Sequence, residues 1–135
     1  NASPAWAEHY RAIRDQDLDW GQLLDDSGGA LPLVVAGDFN QTRDGSLKTY
    51  GTALGREMLS TALSRNNLTC LTTENFGARE KLQPDPSKGW PRNNIDHICI
   101  TENAFRVVQV GAWDHFDLSG RYLSDHNGVF VDIEA

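Results

Sequence analysis

Leu31-Pro32-Leu33-Val34-Val35-Ala36-Gly37-Asp38-Phe39-Asn40 is the stretch that decides the fold. Residues 31–36 form a short apolar run, rich in valine and bounded by glycine. A run of this length between turn residues predicts a strand buried on both faces, as in the central strands of an α/β sheet. It ends in Gly37-Asp38-Phe39-Asn40, and open α/β sheets gather function at such strand ends.

Upstream, Trp6, Tyr10, Ile13, Trp20 and Leu24 recur at three- and four-residue steps. That spacing predicts an amphipathic helix over residues 4–24, with Asp17 interrupting the stripe. Ser3 suits the N-cap and Pro4 the first helical position. Downstream, residues 41–51 are polar and glycine-bearing, which predicts a loop. Leu54, Met58, Leu59, Ala62 and Leu63 mark a second helical stripe, stopping at Asn66-Asn67. Residues 68–72 suit a short strand.

Residues 74–94 hold three prolines and two glycines and predict a long irregular segment, the kind that is usually either functional or disordered. The last third alternates apolar residues over 95–101, 105–113 and 129–133, which predicts three strands. Helix, strand, helix and then several strands fit an α/β layered sandwich better than an all-parallel doubly wound sheet.

The chain is 135 residues long, enough for one domain. Its apolar runs are too short for a transmembrane helix. The net charge of −7 lacks the basic excess that a broad grip on nucleic acid needs. It leaves room for a phosphate substrate held through a metal ion. Cys70 and Cys99 have no zinc spacing and form no disulfide framework, so both read as small buried hydrophobes.

Three short clusters each place a carboxylate at the end of a predicted strand. They are Gly37-Asp38-Phe39-Asn40, Asn94-Ile95-Asp96-His97-Ile98 and Ser124-Asp125-His126. Singly they are weak, because Gly-Asp-x-Asn and Ser-Asp-His often mark only turns. Asp96 is more demanding, since a carboxylate in an apolar strand needs a partner, and histidine is a good one.

Together and in this order, the clusters resemble the second half of the endonuclease/exonuclease/phosphatase, or deoxyribonuclease-I-like, superfamily of magnesium-dependent phosphoesterases. The matching residues run from Val34-Val35-Ala36-Gly37-Asp38-Phe39-Asn40 through Ile95-Asp96-His97-Ile98 to Leu123-Ser124-Asp125-His126. The resemblance implies an α/β fold that is part of a four-layer α/β/β/α sandwich. Residues 1–135 are then a single partial domain, its C-terminal half, with the first half of the fold missing. In that reading the metal-binding glutamate and a further histidine lie upstream, and the chain needs its N-terminal half or a partner chain.

Residue by residue, the resemblance implies that Asp38 orients or deprotonates the attacking water. Asn40 bonds the scissile phosphate. Asp125 is a ligand to Mg²⁺, or to Mn²⁺ in its place. His126 contacts the phosphate, and Asp96 bonds His126 and fixes its tautomer. The residue types suit the chemistry. Negative charge develops on phosphoryl oxygens, which a hard cation on oxygen ligands and an imidazolium both stabilise. Phosphodiesters, phosphomonoesters, inositol phosphates and phospholipid head groups all fit such a core.

Other polar residues have plainer readings. Trp90 and Arg92 precede the Asp96 strand and are either substrate-binding residues on a loop over the site, with Lys88 nearby, or part of a solvated loop. His97 follows Asp96, so on a strand it points to the opposite face and reads as structural. His9 and His115 read as exposed helix and loop positions, and Trp6 and Trp20 as core anchors of the first helix. The competing reading is a non-catalytic binding module or an inactive fragment of the same fold. Five retained site residues count against it.

Overall fold

A computed structural model describes residues 4–44, 50–83 and 94–135. The element order is α1 (Pro4–Asp26), β1 (Val34–Asp38), α2 (Ala53–Arg65), β2 (Leu68–Cys70), α3 (Phe76–Arg79), β3 (Asp96–Thr101), β4 (Arg106–Trp113) and β5 (Gly128–Glu134). The helices and strands anticipated from periodicity are present, and the fold is of mixed α/β type. The short α3 within residues 74–94 was not anticipated. It is anchored by Phe76, which is fully buried.

β3 is the centre of an antiparallel sheet ordered β1-β3-β2, and β4 and β5 form a separate antiparallel pair. Ile13 and Trp20 from α1 meet Leu59, Ala62 and Leu63 from α2 over Leu68 and Cys99 of the sheet. Full burial of such a side chain contributes about 2 kcal/mol. Asp17, the break in the α1 stripe, joins the two helices. It accepts from Asn66 Nδ2 at 2.7 Å and from Arg65 at 2.6 Å. Asn67, at φ 59°, takes the left-handed conformation that ends α2.

β1 departs from expectation. It starts at Val34 rather than 31, runs on through Asp38, and is covered on one face only. Val35 packs against the helices, whereas Val34, Ala36 and Asp38 alternate onto the other face and are exposed. Both edges of β3 are occupied by hydrogen-bonded neighbours, so β5, which packs against β3, meets it through that second face. The helices, the three-stranded sheet and the β4–β5 pair thus lie in succession.

The β4–β5 ladder sets where residues 125 and 126 arrive. Gly111 faces Phe130 and Gly128 faces Trp113 across it. A Cβ at either glycine would collide with the opposing ring. Each aromatic ring fills the space its glycine leaves, which pins the register.

Candidate functional site

Asp38 and Asp96 are directly opposed at the end of the β1–β3 ladder. Phe39 N–H donates to the Ile95 carbonyl and Thr101 N–H to the Leu33 carbonyl. Those bonded pairs fix the phase of the ladder. Asp38 and Asp96 therefore occupy a non-hydrogen-bonded pair, where Cα atoms are about 4.5 Å apart and side chains are closest. Like charges so placed destabilise a sheet.

His126 relieves one of them. Its Nδ1 donates to Asp96 Oδ2 at 2.7 Å, which leaves Nε2 as the outward nitrogen. That nitrogen is 3.9 Å from Asp125 Oδ1. Asp125 is the more exposed, at 60% of its side chain against 28% for His126. The arrival of His126 is set locally. Its N–H donates to Ser124 Oγ at 3.1 Å, while the His115 ring donates from Nδ1 to the Ser124 carbonyl at 3.0 Å. His115 is 2% exposed, so it is a buried post for this turn and not the exposed loop residue expected.

Asp38 is held by a turn of its own making. Its Oδ1 accepts from Asn40 N–H at 2.8 Å, and Asn40 sits at φ 52°, which asparagine tolerates. The chain then turns inward. Gln41 and Thr42, at the start of the loop expected over residues 41–51, are 0% and 1% exposed. The Gln41 amide nitrogen donates to His9 Nε2 at 3.2 Å and to the Gly55 carbonyl at 3.3 Å. Its main-chain carbonyl accepts from His97 Nε2 at 2.8 Å. The loop is therefore tied to α1, α2 and β3 directly behind the carboxylates.

His97 is buried on the helix-facing side of β3, opposite Asp96, as strand alternation requires. Its Nδ1 is 3.1 Å from Thr72 Oγ1 and 3.0 Å from the Thr72 carbonyl. Asn94, also buried, donates from Nδ2 to that carbonyl and to the carbonyl of Asp96. Gln41 and Thr72 are not singled out by the sequence, Asn94 enters it only within a cluster and without a role, and His115 reads there as exposed. Each is a polar residue in a polar setting, and only the tertiary fold reveals the burial.

His9 is half-buried. Burial holds its pKa below the usual value, against an upward pull from Asp38. Accepting from Gln41 through Nε2 likewise requires an unprotonated nitrogen there. A cleft of about 150 Å³ between His9, Gln16, Asp38 and Asn40 adjoins one of about 250 Å³ lined by Trp6, His9, Asn40 and Tyr50. Trp6 therefore borders this cleft, whereas Trp20 is the core anchor.

One ligand atom each from Asp38, Asp96 and His126 lies within 4.8 Å of the others. The donor set fits a hard divalent cation. Two opposed carboxylates offer oxygen ligands and carry a repulsion that a cation would cancel. Trp90 and Arg92, the expected substrate contacts, lie outside the described residues.

The family model described as the endonuclease/exonuclease/phosphatase family matches residues 1–126. The chain belongs to this family. Searches of the curated proteins and of the solved structures each found no match. The chemistry of an endonuclease/exonuclease/phosphatase domain is phosphoester hydrolysis, typically with a divalent metal. The three clusters that pointed to it converge on one strand end, with Asp125 at its exposed rim.

Proposed function

We propose that this domain hydrolyses a phosphoester, most simply a phosphodiester, with Mg²⁺ or Mn²⁺. The observation that carries the reading is the Asp96–His126 hydrogen bond beside the opposed carboxylate of Asp38, in a chain of this family. Asp125 would hold the cation, and the proximity of Asp38 and Asp96 to one another makes them further candidates for it. When bound, the cation neutralises charge on the phosphoryl oxygens.

The chain's own residues supply the rest. Asp38, exposed and fixed by its turn, orients a water and accepts its proton. Asn40, on the same turn, offers its amide to a phosphate oxygen. His126 directs Nε2 outward because Asp96 holds Nδ1, so a protonated ring places an N–H on the phosphate. Trp90 and Arg92 remain proposed substrate contacts.

The four-layer sandwich is also a proposal. Val34, Val107, Val108 and Trp113 are 40–54% exposed, which supports further strands covering these positions. They would come from outside residues 1–135 or from a partner chain. Nucleic acid stays open as a substrate, although the net charge of −7 does not support it.

The test is Mg²⁺-dependent hydrolysis of a small phosphodiester by the native protein that carries this domain, compared with its Asp125→Ala and His126→Ala variants. The reading expects turnover that both substitutions abolish while the fold survives. Near-normal turnover in either variant removes that residue from the mechanism. No metal-dependent turnover on any phosphoester leaves the binding-module reading.

A further inference from the structure

The second notable pair in the sheet lies on the other face of β3. Cys70 of β2 and Cys99 of β3 are directly opposed, and both are free thiols. Leu71 N–H donates to the Ile98 carbonyl, and Glu102 N–H donates to the Asn67 carbonyl. Those bonds set the phase of the β2–β3 ladder and make Cys70–Cys99 a non-hydrogen-bonded pair. Cα atoms at such a site are about 4.5 Å apart. That is within the span of about 4.4–6.8 Å that a disulfide bridges.

The two thiols are not equivalent. Cys99 is fully buried in the helix-facing core. Cys70 is partly exposed and lines a cleft of about 370 Å³ with Arg43, Ser60, Ser64, Thr73 and Glu102. Its Sγ lies 3.9 Å from Thr72 Oγ1, the hydroxyl that also meets His97 Nδ1. A small reagent in the cleft therefore reaches Cys70 first. Hydrogen bonding to Cys99, helped by His97, pulls the Cys70 thiol down against the effect of burial. The same contact and burial push Cys99 up. Thiolate character thus concentrates on the reachable sulfur, which is the condition for reactivity.

We propose that Cys70 and Cys99 are a redox pair that closes to a reversible disulfide between β2 and β3, with hydrogen peroxide as the oxidant. The Cys70 thiolate attacks one peroxide oxygen and the O–O bond breaks. Sulfur is oxidised to the sulfenic acid, and the departing hydroxide takes up a proton to become water. The Cys99 sulfur then attacks Cys70 Sγ. The S–S bond forms and the S–O bond breaks, and the second hydroxide leaves with the Cys99 proton as water. Two thiols lose two electrons, and the peroxide is reduced to two waters. A reducing thiol reverses the bond by exchange. Closure staples β3, the strand that carries Asp96, to its neighbour. The proposal does not depend on the phosphoesterase reading.

The test is treatment of the reduced protein with stoichiometric hydrogen peroxide, with and without a sulfenic-acid trap. Thiols are counted after denaturation, and peptides are mapped by mass spectrometry. The expected result is loss of both thiols within one chain, a Cys70–Cys99 linked peptide, and recovery of both thiols with dithiothreitol. In Cys99→Ala the trap should label Cys70. In Cys70→Ala, Cys99 should stay unlabelled. Two thiols still titrating after peroxide overturn the proposal, as do a stable trapped Cys70 in the unsubstituted protein or a disulfide between chains. The unsubstituted protein decides the matter even where a variant fails to fold.

Discussion

Adjacent residues of β3 have opposite uses. Asp96 points to the partly open face and shares a proton with His126 opposite Asp38. His97, one residue on, points into the helix-facing core, where Nε2 donates to the Gln41 carbonyl and Nδ1 meets the Thr72 hydroxyl. The first face pairs like charges at a solvent rim, an arrangement that costs stability and suits a cation. The second ties its buried histidine to two neighbouring segments, an arrangement that stabilises and holds the first in place. Function and stability are therefore separable by single substitutions one position apart.

The largest expected effect is on activity at the open face. His126→Ala should lower phosphodiester turnover about 1,000-fold, the range for loss of a group that stabilises developing charge. The unfolding midpoint should fall by far less than the activity, by about 1 kcal/mol as Asp96 loses its partner, and steady-state kinetics with a denaturant melt checks both. Asp96→Asn should cost about 100-fold or more, because an amide no longer imposes the productive tautomer.

The sealed face should behave in the opposite way. His97→Leu should destabilise the fold by about 3 kcal/mol by stranding the Gln41 carbonyl and the Thr72 hydroxyl, while the folded fraction keeps its turnover. Denaturant unfolding measures the first effect and activity per folded molecule the second. If His97→Leu removed turnover without loss of stability, the contrast between the faces would collapse. A finer test is Asp38→Asn without metal. Removing one of two opposed charges should raise stability by about 0.5 kcal/mol.

The smallest effect is a pH dependence. His9 has a folded pKa below its usual 6.5, so the unfolded chain takes up a proton more readily. Its contribution is complete above the unfolded pKa and is lost as pH falls through about 6.5 and below. His9→Gln should flatten the thermal midpoint across that window.

Much of this was legible from one chain. Val34, Val35 and Ala36 announced a strand, and the carboxylates at Asp38, Asp96 and Asp125 marked its functional end. The period-two pattern also assigned Asp96 and His97 to opposite faces. The burial of β1 was misjudged, because an apolar run reports the tendency to be covered and not whether both faces have cover within these residues. The supports of the site were not legible at all. Gln41, Thr72 and His115 look like ordinary loop polarity in sequence, and only long-range contacts show them buried and bonded. The Cys70–Cys99 juxtaposition likewise depends on strand register, which spacing alone does not specify.

The most direct test of the central claim is a divalent-cation titration followed by thermal unfolding, comparing the unsubstituted protein with Asp38→Asn, Asp96→Asn and Asp125→Asn. The account predicts that Mg²⁺ or Mn²⁺ raises the midpoint of the unsubstituted protein in a saturable way. Asp125→Asn should lose most of that rise, and Asp38→Asn and Asp96→Asn should each weaken it. A midpoint that no divalent cation shifts, or one shifted equally in all four proteins, would contradict a metal site at this strand end.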